Sequence, residues 1–133
     1  MPSLATKLPD TNTIIRYLTK DEPLLYEKAA VFFESVLAGQ EKAVILESVL
    51  VECVYVLQTI YKVPKERIVD SLLKMLRYKG IMNTDKEELI KALTIFRSRS
   101  IDIVDCILAV KGKSYEMPLF TFDKKLNALL KDL

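Results

Sequence analysis

The sequence predicts an α/β fold in which helices cover both faces of a short parallel sheet. The strand candidates are few, short and largely apolar, and a helical pattern separates each of them from the next. Apolar strands that alternate with helices are typical of parallel sheets buried on both faces. A chain of 133 residues, with no repeat and no linker-like run, predicts a single domain over residues 1–133.

Four segments are strand candidates. They are LATKLP (residues 4–9), Ala43–Leu46, Ile81–Met82 and Pro118–Phe122. The first is the weakest, because it contains Lys7 and ends in Pro9. In a parallel sheet of this kind ligands bind at the carboxyl ends of the strands, so residues that follow the strands are candidates for function.

Apolar residues at helical spacing fill the chain between these strands. The predicted helices cover residues 11–18, 23–37, 48–61, 64–79, 84–99, 101–112 and 123–133. Asp21 and Ser48 are predicted N-caps, and Thr84 begins a capping-box spacing with a Glu three residues later. Gly39 and Gly80 are the predicted ends of the second and fourth helices.

Composition excludes several mechanisms. The sequence contains no His, which excludes His-based acid–base chemistry, Ser–His–Asp triads and His-ligated zinc within it. The two Cys lie in apolar runs and are interpreted as core residues of a protein in a reducing compartment. A net charge of +2 does not by itself indicate a nucleic-acid binder. With no signal-like start and no membrane-length apolar run, the expected location is cytoplasmic, with no membrane partner.

Four acidic residues lie beside or within apolar segments. Asp10 precedes an apolar helix, Glu52 interrupts VLVECVYVL, Asp105 lies within IVDCILAV and Asp123 follows LFTF. An ionised carboxylate left alone in an apolar interior costs roughly several kcal/mol. Two structural alternatives exist: the first and last acids could be N-caps, and the middle two could be inward-pointing partners of a cation, for which Arg16 is the obvious candidate.

If these acids converge, their repulsion resists ionisation, and a divalent cation removes that penalty. Oxygen ligands without His or thiolate suit Mg²⁺ or Mn²⁺. A cation held by carboxylates points to phosphoryl chemistry, because it stabilises charge on a phosphodiester and lowers the pKa of a bound water. Three scattered Gly cannot form a phosphate-binding loop of the Walker type, so nucleoside triphosphate hydrolysis is not expected.

Four motifs, in order along the chain, resemble the PIN-domain family, and within it the VapC-type toxins of prokaryotic toxin–antitoxin pairs. The motifs are DTNTIIRYL, VLVECVYVL, IDIVDCILAV and PLFTFDKKL. The eighteen-residue step from Asp105 to Asp123 is typical of the family. The chain departs from the family pattern before Asp10, where a clean apolar strand is usual.

The resemblance implies a three-layer α/β/α sandwich with a short central parallel sheet and a metal-dependent endoribonuclease activity that uses Mg²⁺ or Mn²⁺. It also implies an RNA substrate, an antitoxin protein whose C-terminal segment occupies the active groove, and a homodimer. Ala29–Leu37 and Leu72–Tyr78 could supply apolar surface for such contacts, or they could be ordinary core-facing stripes.

The resemblance also assigns site residues. The catalytic and metal-binding acids match Asp10, Glu52, Asp105 and Asp123, with Asn12, Asp102 and Thr121 as supporting polar residues. A spacing of three residues puts Asp102 and Asp105 on one helix face. Basic residues near the site, namely Arg16, Lys124 and Lys125, are expected to hold backbone phosphates.

Two rival hypotheses remain open. The chain could be a PIN-fold nuclease of RNA processing that has no antitoxin. It could also be an inactive RNA- or protein-binding module that keeps some of the acids for structural reasons. An intact set of four acids argues against the inactive module, since a scaffold has no need of all four.

Overall fold

The computed structural model describes residues 5–133, and helices dominate this range. The strands are β1 (Thr6–Lys7) and β2 (Lys42–Ala43). The helices are α1 (Thr11–Thr19), α2 (Pro23–Ala38), α3 (Glu47–Thr59), α4 (Lys65–Leu76), α5 (Lys86–Ser98), α6 (Ile103–Ser114) and α7 (Lys124–Asp132). None of the helices in this range is both long and apolar enough to cross a membrane.

The described chain forms two compact units, the first ending at Thr84 and the second spanning Asp85–Leu133. The first unit contains both strands and α1 to α4, and the second contains α5 to α7. The prediction of one domain over residues 1–133 includes residues 1–4, which lie outside the described range. It stays a prediction.

The sheet of the first unit is short and parallel. Strand β1 pairs with β2 in parallel, with Lys7 opposite Ala43, and Ala43 also forms a parallel bridge with Ile81. The backbone N–H of Ala43 donates to the carbonyl of Gly80 at 2.9 Å. Ala43 therefore lies between the other two chain segments, and the predicted short parallel sheet is confirmed.

The second strand is shorter than predicted and shares only Ala43 with the expected range. Beyond it, the side chain of Asn83 takes the place of a neighbouring strand. Asn83 accepts from the N–H of Ile45 at 2.9 Å and donates to its carbonyl at 2.7 Å. A side-chain amide supplies one donor and one acceptor, so it satisfies the backbone of Ile45 without extending the sheet. The predicted first strand also begins at Leu4, which lies outside the described residues.

Each helix of the first unit contributes a fully buried apolar residue to its interior: Ile14 from α1, Phe33 from α2, Leu50 from α3 and Leu72 from α4. Helix α1 packs against α2 and α3, and α3 packs against α4. Burying a side chain of this size stabilises the fold by about 1.5–3 kcal/mol. This packing fixes α1 and α3, the helices at which Asp10 and Glu52 lie.

In the second unit, α6 packs against both α5 and α7. Ala109 of α6 forms a buried cluster with Leu126 and Leu129 of α7, and Leu119 packs against this cluster from the connecting segment. This packing sets the position of α7 relative to α6, and so it fixes where Asp123 and Asp105 lie within the unit.

Three predicted N-caps are wrong. Helices α2 and α5 are preceded by Glu22 and Asp85, and neither side chain makes a capping hydrogen bond. Helix α3 begins one residue before Ser48. Asp21 does not cap α2, because its carboxylate accepts hydrogen bonds from other side chains, and Thr84 lies one residue too early. Residues one or two positions apart can each serve as the N-cap of a helix, and tertiary contacts decide at which of them the helix begins.

The two glycine stops differ in outcome. Gly39 ends α2 as predicted, with a φ of 83° and its N–H donating to Ser35 and Val36. Gly80 does not end α4, which already stops at Leu76. Glycine at position 80 instead allows the backbone to pass close to that of Glu41: a Cβ on Gly80 would lie 2.0 Å from the backbone oxygen of Glu41.

The predicted strand Pro118–Phe122 is wrong, since the structure assigns no strand to these residues. A strand needs a neighbouring strand for its backbone hydrogen bonds. Residues 85–133 contain only helices and connecting segments, so the unit holds no such neighbour.

The two apolar segments considered as contact surfaces also differ. The apolar residues of Leu72–Tyr78 are buried, so its alternative interpretation as a core stripe is confirmed. Ala29–Leu37 has two faces: Phe33 and Val36 are buried, whereas Val31 is 73% exposed.

Candidate functional site

Asp10 is held at the start of α1 by one partner residue. It is the N-cap of the helix, and its Oδ1 accepts from the N–H of Thr13 at 2.9 Å and from the hydroxyl of Thr13 at 2.7 Å. These two bonds, the backbone one first, hold the pKa of Asp10 below its ordinary value. The N-cap alternative is confirmed, and the carboxylate is ionised at neutral pH.

Glu52 does not point into the interior, so the alternative that it is an inward-pointing partner of a cation is wrong. Helix α3 has a core side and a solvent side, and Glu52 is exposed with Ser48, Tyr55 and Thr59 at helical spacing. The core side of the helix consists of Leu50, Cys53, Val54 and Leu57. The apolar run VLVECVYVL therefore forms part of an amphipathic helix, and its one carboxylate lies on the side that faces the solvent.

The charges of Asp10 and Glu52 both affect the buried thiol of Cys53. Cys53 is fully buried, and burial first, then the charges of Glu52 and Asp10, raise the pKa of its thiol to about 12. A carboxylate raises the pKa of a thiol only when it lies near enough for its charge to be felt. The first unit therefore brings these two acids into one neighbourhood.

Asp105 is the half-buried member of a second acidic neighbourhood. Burial raises its pKa, and the charges of Asp102 and Asp123 raise it further. Asp102 is the N-cap of α6 and accepts from the N–H of Val104 at 3.1 Å. The second unit brings together three of the residues that the sequence singled out.

Asp123 is positioned by hydrogen bonds on both sides. As the N-cap of α7 its Oδ1 accepts from the N–H of Leu126 at 2.9 Å, which confirms the capping alternative. Its own N–H donates to the hydroxyl oxygen of Thr121 at 3.0 Å, and Asn127 donates to the carbonyl of Thr121 at 3.1 Å. The hydroxyl of Thr121 is thus bonded to backbone here, and it braces the turn that presents Asp123.

None of the four acids forms an ion pair with Lys or Arg anywhere in residues 5–133. The alternative that a cation neutralises Glu52 or Asp105 is therefore wrong for the described chain. Arg16, the suggested partner, instead donates to both carboxylate oxygens of Asp21 at 3.1 and 3.0 Å and to the hydroxyl of Tyr61 at 3.1 Å.

A cleft of about 330 Å³ lies beside Asp10 between α1 and α2. Asn12 and Arg16 line it from α1, and Lys28 and Phe32 line it from α2. In the second unit, the exposed Lys124 and Lys125 directly follow Asp123. Each acidic neighbourhood therefore has cationic side chains close to it in its own unit.

The ligand atoms of the candidate site are of the type that a hard divalent cation prefers. All are carboxylate oxygens, and burial, followed by the charges of Asp102 and Asp123, raises the pKa of Asp105; a bound cation offsets the part that comes from the two charges. Within the described range, however, no three Asp, Glu or Cys side chains are grouped as ligands of one ion. The residues therefore match such a cation by the type of their ligand atoms, and not by an assembled set of three ligands.

The sequence did not predict three features of the candidate site: Thr13, which bonds to Asp10; Asn127, which bonds to the carbonyl of Thr121; and the pair Asp21–Tyr61, which binds Arg16. A signal for Thr13 was present, since an Asp followed three residues later by a polar residue at a helix start has the spacing of a cap. Tyr61 lies forty residues after Asp21, and no local pattern connects them.

The short parallel sheet, the alternating helices and the carboxylates at helix starts define an α/β protein with acidic candidate sites. A PIN domain family model matches residues 7–131, and the chain belongs to the PIN-domain family. This confirms the resemblance and the predicted PIN-like α/β fold class.

A VapC ribonuclease from Aquifex aeolicus (strain VF5) is 30% identical over 108 residues, which is 80% of this chain and 78% of that protein. No solved structure matched the chain.

Proposed function

We propose that the protein is a metal-dependent endoribonuclease that hydrolyses RNA phosphodiesters, and that it is the toxin of a toxin–antitoxin pair. Membership of the PIN-domain family and the similarity to a VapC ribonuclease support this. The observation that carries the proposal is that Asp102 and Asp123 lie near enough to the half-buried Asp105 for their charges to add to burial in raising its pKa, since such a set of carboxylates in one neighbourhood is a candidate site for a ligand of opposite charge.

In this proposal Asp10, Asp105 and Asp123 bind Mg²⁺ or Mn²⁺, directly or through water, and Glu52 either binds the cation as well or orients the attacking water. When bound, the cation stabilises negative charge on the phosphodiester and lowers the pKa of a water. The structural bonds of two of these acids leave them free for that role. Asp10 and Asp123 each use only Oδ1 for capping among the bonds found in residues 5–133, so Oδ2 is available.

The other residues position the substrate and the attacking water. Glu52, exposed on α3, is able to orient the water or accept its proton. Lys124 and Lys125 bind backbone phosphates beside Asp123, and Arg16 does so from the cleft beside Asp10. In-line attack with the 3′-oxygen as leaving group gives a 5′-phosphate and a 3′-hydroxyl.

The toxin proposal includes a protein partner and a second copy of the chain. An antitoxin segment is expected to occupy the active groove, and the active form is expected to be a homodimer. Both expectations rest on the resemblance to VapC-type toxins. Co-expression with a small neighbouring reading frame, followed by purification of a complex, tests the antitoxin; sedimentation of the free protein tests the dimer.

One observation favours a second candidate function, an inactive RNA- or protein-binding module. No group of three ligands is ready for an ion in the described chain, as expected of a fold that has lost its metal site. Titration of the protein with Mn²⁺ by calorimetry separates the two candidates. Binding that disappears in Asp105→Asn supports the nuclease, and absence of binding supports the inactive module.

The decisive experiment compares RNA cleavage by the wild type, Asp105→Asn and a matched control. The control is Asp132→Asn, which neutralises a carboxylate of the same unit that pairs with Arg99 instead of with the acidic group. Cleavage in Mn²⁺ is expected to fall about a hundredfold or more in Asp105→Asn and to persist in the control. Full activity of Asp105→Asn would contradict the proposal.

A further inference from the structure

Two neighbouring aromatic side chains of the second unit are almost entirely in solvent. Phe120 is 87% exposed and Phe122 is 90% exposed. Their ring centroids lie 5.4 Å apart with an interplanar angle of 88°, which is an edge-to-face pair. Large apolar side chains placed together at the surface mark an interaction site more often than a single exposed residue does.

The core of the unit takes other residues of the same segment. Leu119 packs against the cluster of Ala109, Leu126 and Leu129, and the hydroxyl of Thr121 is bonded to the backbone of Asp123. Leu119 and Thr121 are partly buried, whereas Phe120 and Phe122 are exposed, so alternate side chains of this segment face the solvent.

The surroundings of the two rings indicate what covers them. Phe122 directly precedes Asp123, so the pair stands beside the acidic neighbourhood of the second unit. Lys124 and Lys125, both exposed, follow at the start of α7. Rings with cations beside them match a ligand that carries flat apolar faces on an anionic backbone, which is the chemistry of an unpaired nucleic acid strand.

We propose that Phe120 and Phe122 form a stacking platform for unpaired RNA bases next to the cleavage site, a role that rests on the function proposed above. Stacking on an aromatic face requires a base that is free of its neighbours, so the platform selects single strands, loops and bulges over duplex RNA. It is tolerant of sequence, because every base has such a face.

The test measures RNA binding in the presence of EDTA, so that no cleavage occurs. The probes are a short fluorescent oligo-uridylate, the abasic ribose–phosphate oligomer of the same length and a duplex RNA. The variant is Phe120→Leu with Phe122→Leu, which keeps apolar surface and removes the aromatic faces. The control is Leu24→Ala, which removes apolar surface from another strongly exposed position, in the first unit, 76% exposed.

The wild type is expected to bind oligo-uridylate about tenfold more tightly than the abasic oligomer and more tightly than the duplex. The Leu variant is expected to lose this preference for bases while its affinity for the abasic oligomer is unchanged, and the control is expected to behave as the wild type. A Leu variant with the base preference of the wild type overturns the proposal.

Parallel cleavage assays separate this inference from the proposed function. If the wild type cleaves RNA in Mn²⁺ but shows no base preference, the platform is wrong and the nuclease stands. If the base preference depends on the two rings but no RNA is cleaved, the platform stands as a binding site and the nuclease is wrong.

Discussion

Asp123 lies near enough to Asp105 for its charge to be felt there: burial first, then the charge of Asp102 and then that of Asp123 raise the pKa of Asp105. They belong to neighbouring segments of one unit, at the start of α6 and just before α7. Without a cation this arrangement opposes folding. The same residues are the ones that the proposed activity requires, so stability and function compete at this position.

Asp105→Asn is therefore expected to unfold at the same temperature as the wild type in EDTA, or at a higher one, because the substitution removes the repulsion. Mn²⁺ is expected to raise the melting temperature of the wild type by binding to the folded state, and to leave that of the variant unchanged. Thermal unfolding followed by circular dichroism, with and without Mn²⁺, measures both effects. An equal Mn²⁺ shift in both proteins would remove Asp105 from the metal site.

Asp10 combines a structural and a proposed catalytic role, and two substitutions separate them. Asn also caps a helix, so Asp10→Asn is expected to lose RNA cleavage while losing less stability than Asp10→Ala. Asp10→Ala is expected to lose cleavage and also about 1 kcal/mol of stability, since the N–H of Thr13 loses its acceptor. Urea denaturation and the cleavage assay provide the readouts. A cleavage-competent Asp10→Asn would show that its charge is not needed.

Much of the candidate site could be predicted because its acids interrupt local patterns. Asp10 and Asp123 stand at helix starts after strand-like segments, and Asp102 and Asp105 are one turn apart. The orientation of Glu52 could not be predicted in this way. Its apolar neighbours suggested burial, but a helix of this composition still has a solvent side, and packing of the other side against the core decides where Glu52 points.

In the fold, too, local sequence patterns predicted some elements and long-range packing decided others. Apolar spacing predicted the helices well, because each buries one stripe of apolar residues, whereas it predicted the strands only in part. β2 stops where the side chain of Asn83 replaces a strand, and Pro118–Phe122 forms none, although its composition is that of a strand. Strand formation depends on a partner that is distant in the sequence, so local composition decides it poorly.

Asp21 makes a pH-dependent contribution to stability. Hydrogen bonds from Tyr61, Thr19 and Arg16, in decreasing order of effect, hold the pKa of Asp21 below its ordinary value of 3.8. Because the pKa is lower in the folded state, the stabilisation is fully present above the ordinary value and is lost as the pH falls through the folded-state pKa. Asp21→Asn is therefore expected to be less stable than the wild type at neutral pH.

The stability difference between Asp21→Asn and the wild type is expected to shrink as the pH falls below the ordinary Asp value. Urea denaturation of both proteins across this pH range measures it. Tyr61→Phe removes one of the donors to Asp21 and is expected to reduce the same pH dependence without abolishing it. A difference that stays constant down to the lowest pH would show that the charge of Asp21 is not what the three donors stabilise.

Tyr17 and Tyr78 form a buried hydroxyl pair at the far end of α1 from Asp10. Their oxygens lie 2.7 Å apart, and the hydroxyl of Tyr17 also contacts the carboxylate of Glu34 at 3.3 Å. Burial, and then the bond to Tyr78, raise the pKa of Tyr17 above its ordinary value, so the hydroxyl of Tyr17 stays protonated. Since Tyr17 donates to Glu34, Tyr78 donates to Tyr17.

This direction of donation makes the two single substitutions unequal. Tyr17→Phe leaves the buried hydroxyl of Tyr78 without its partner, at an expected cost of about 1–3 kcal/mol. Tyr78→Phe leaves Tyr17 bonded to Glu34 and is expected to cost about 1 kcal/mol. The double variant replaces both partners by apolar rings, so it is expected to be more stable than Tyr17→Phe alone. Urea denaturation of the four proteins completes the cycle, and additive losses would show that the two hydroxyls are not coupled.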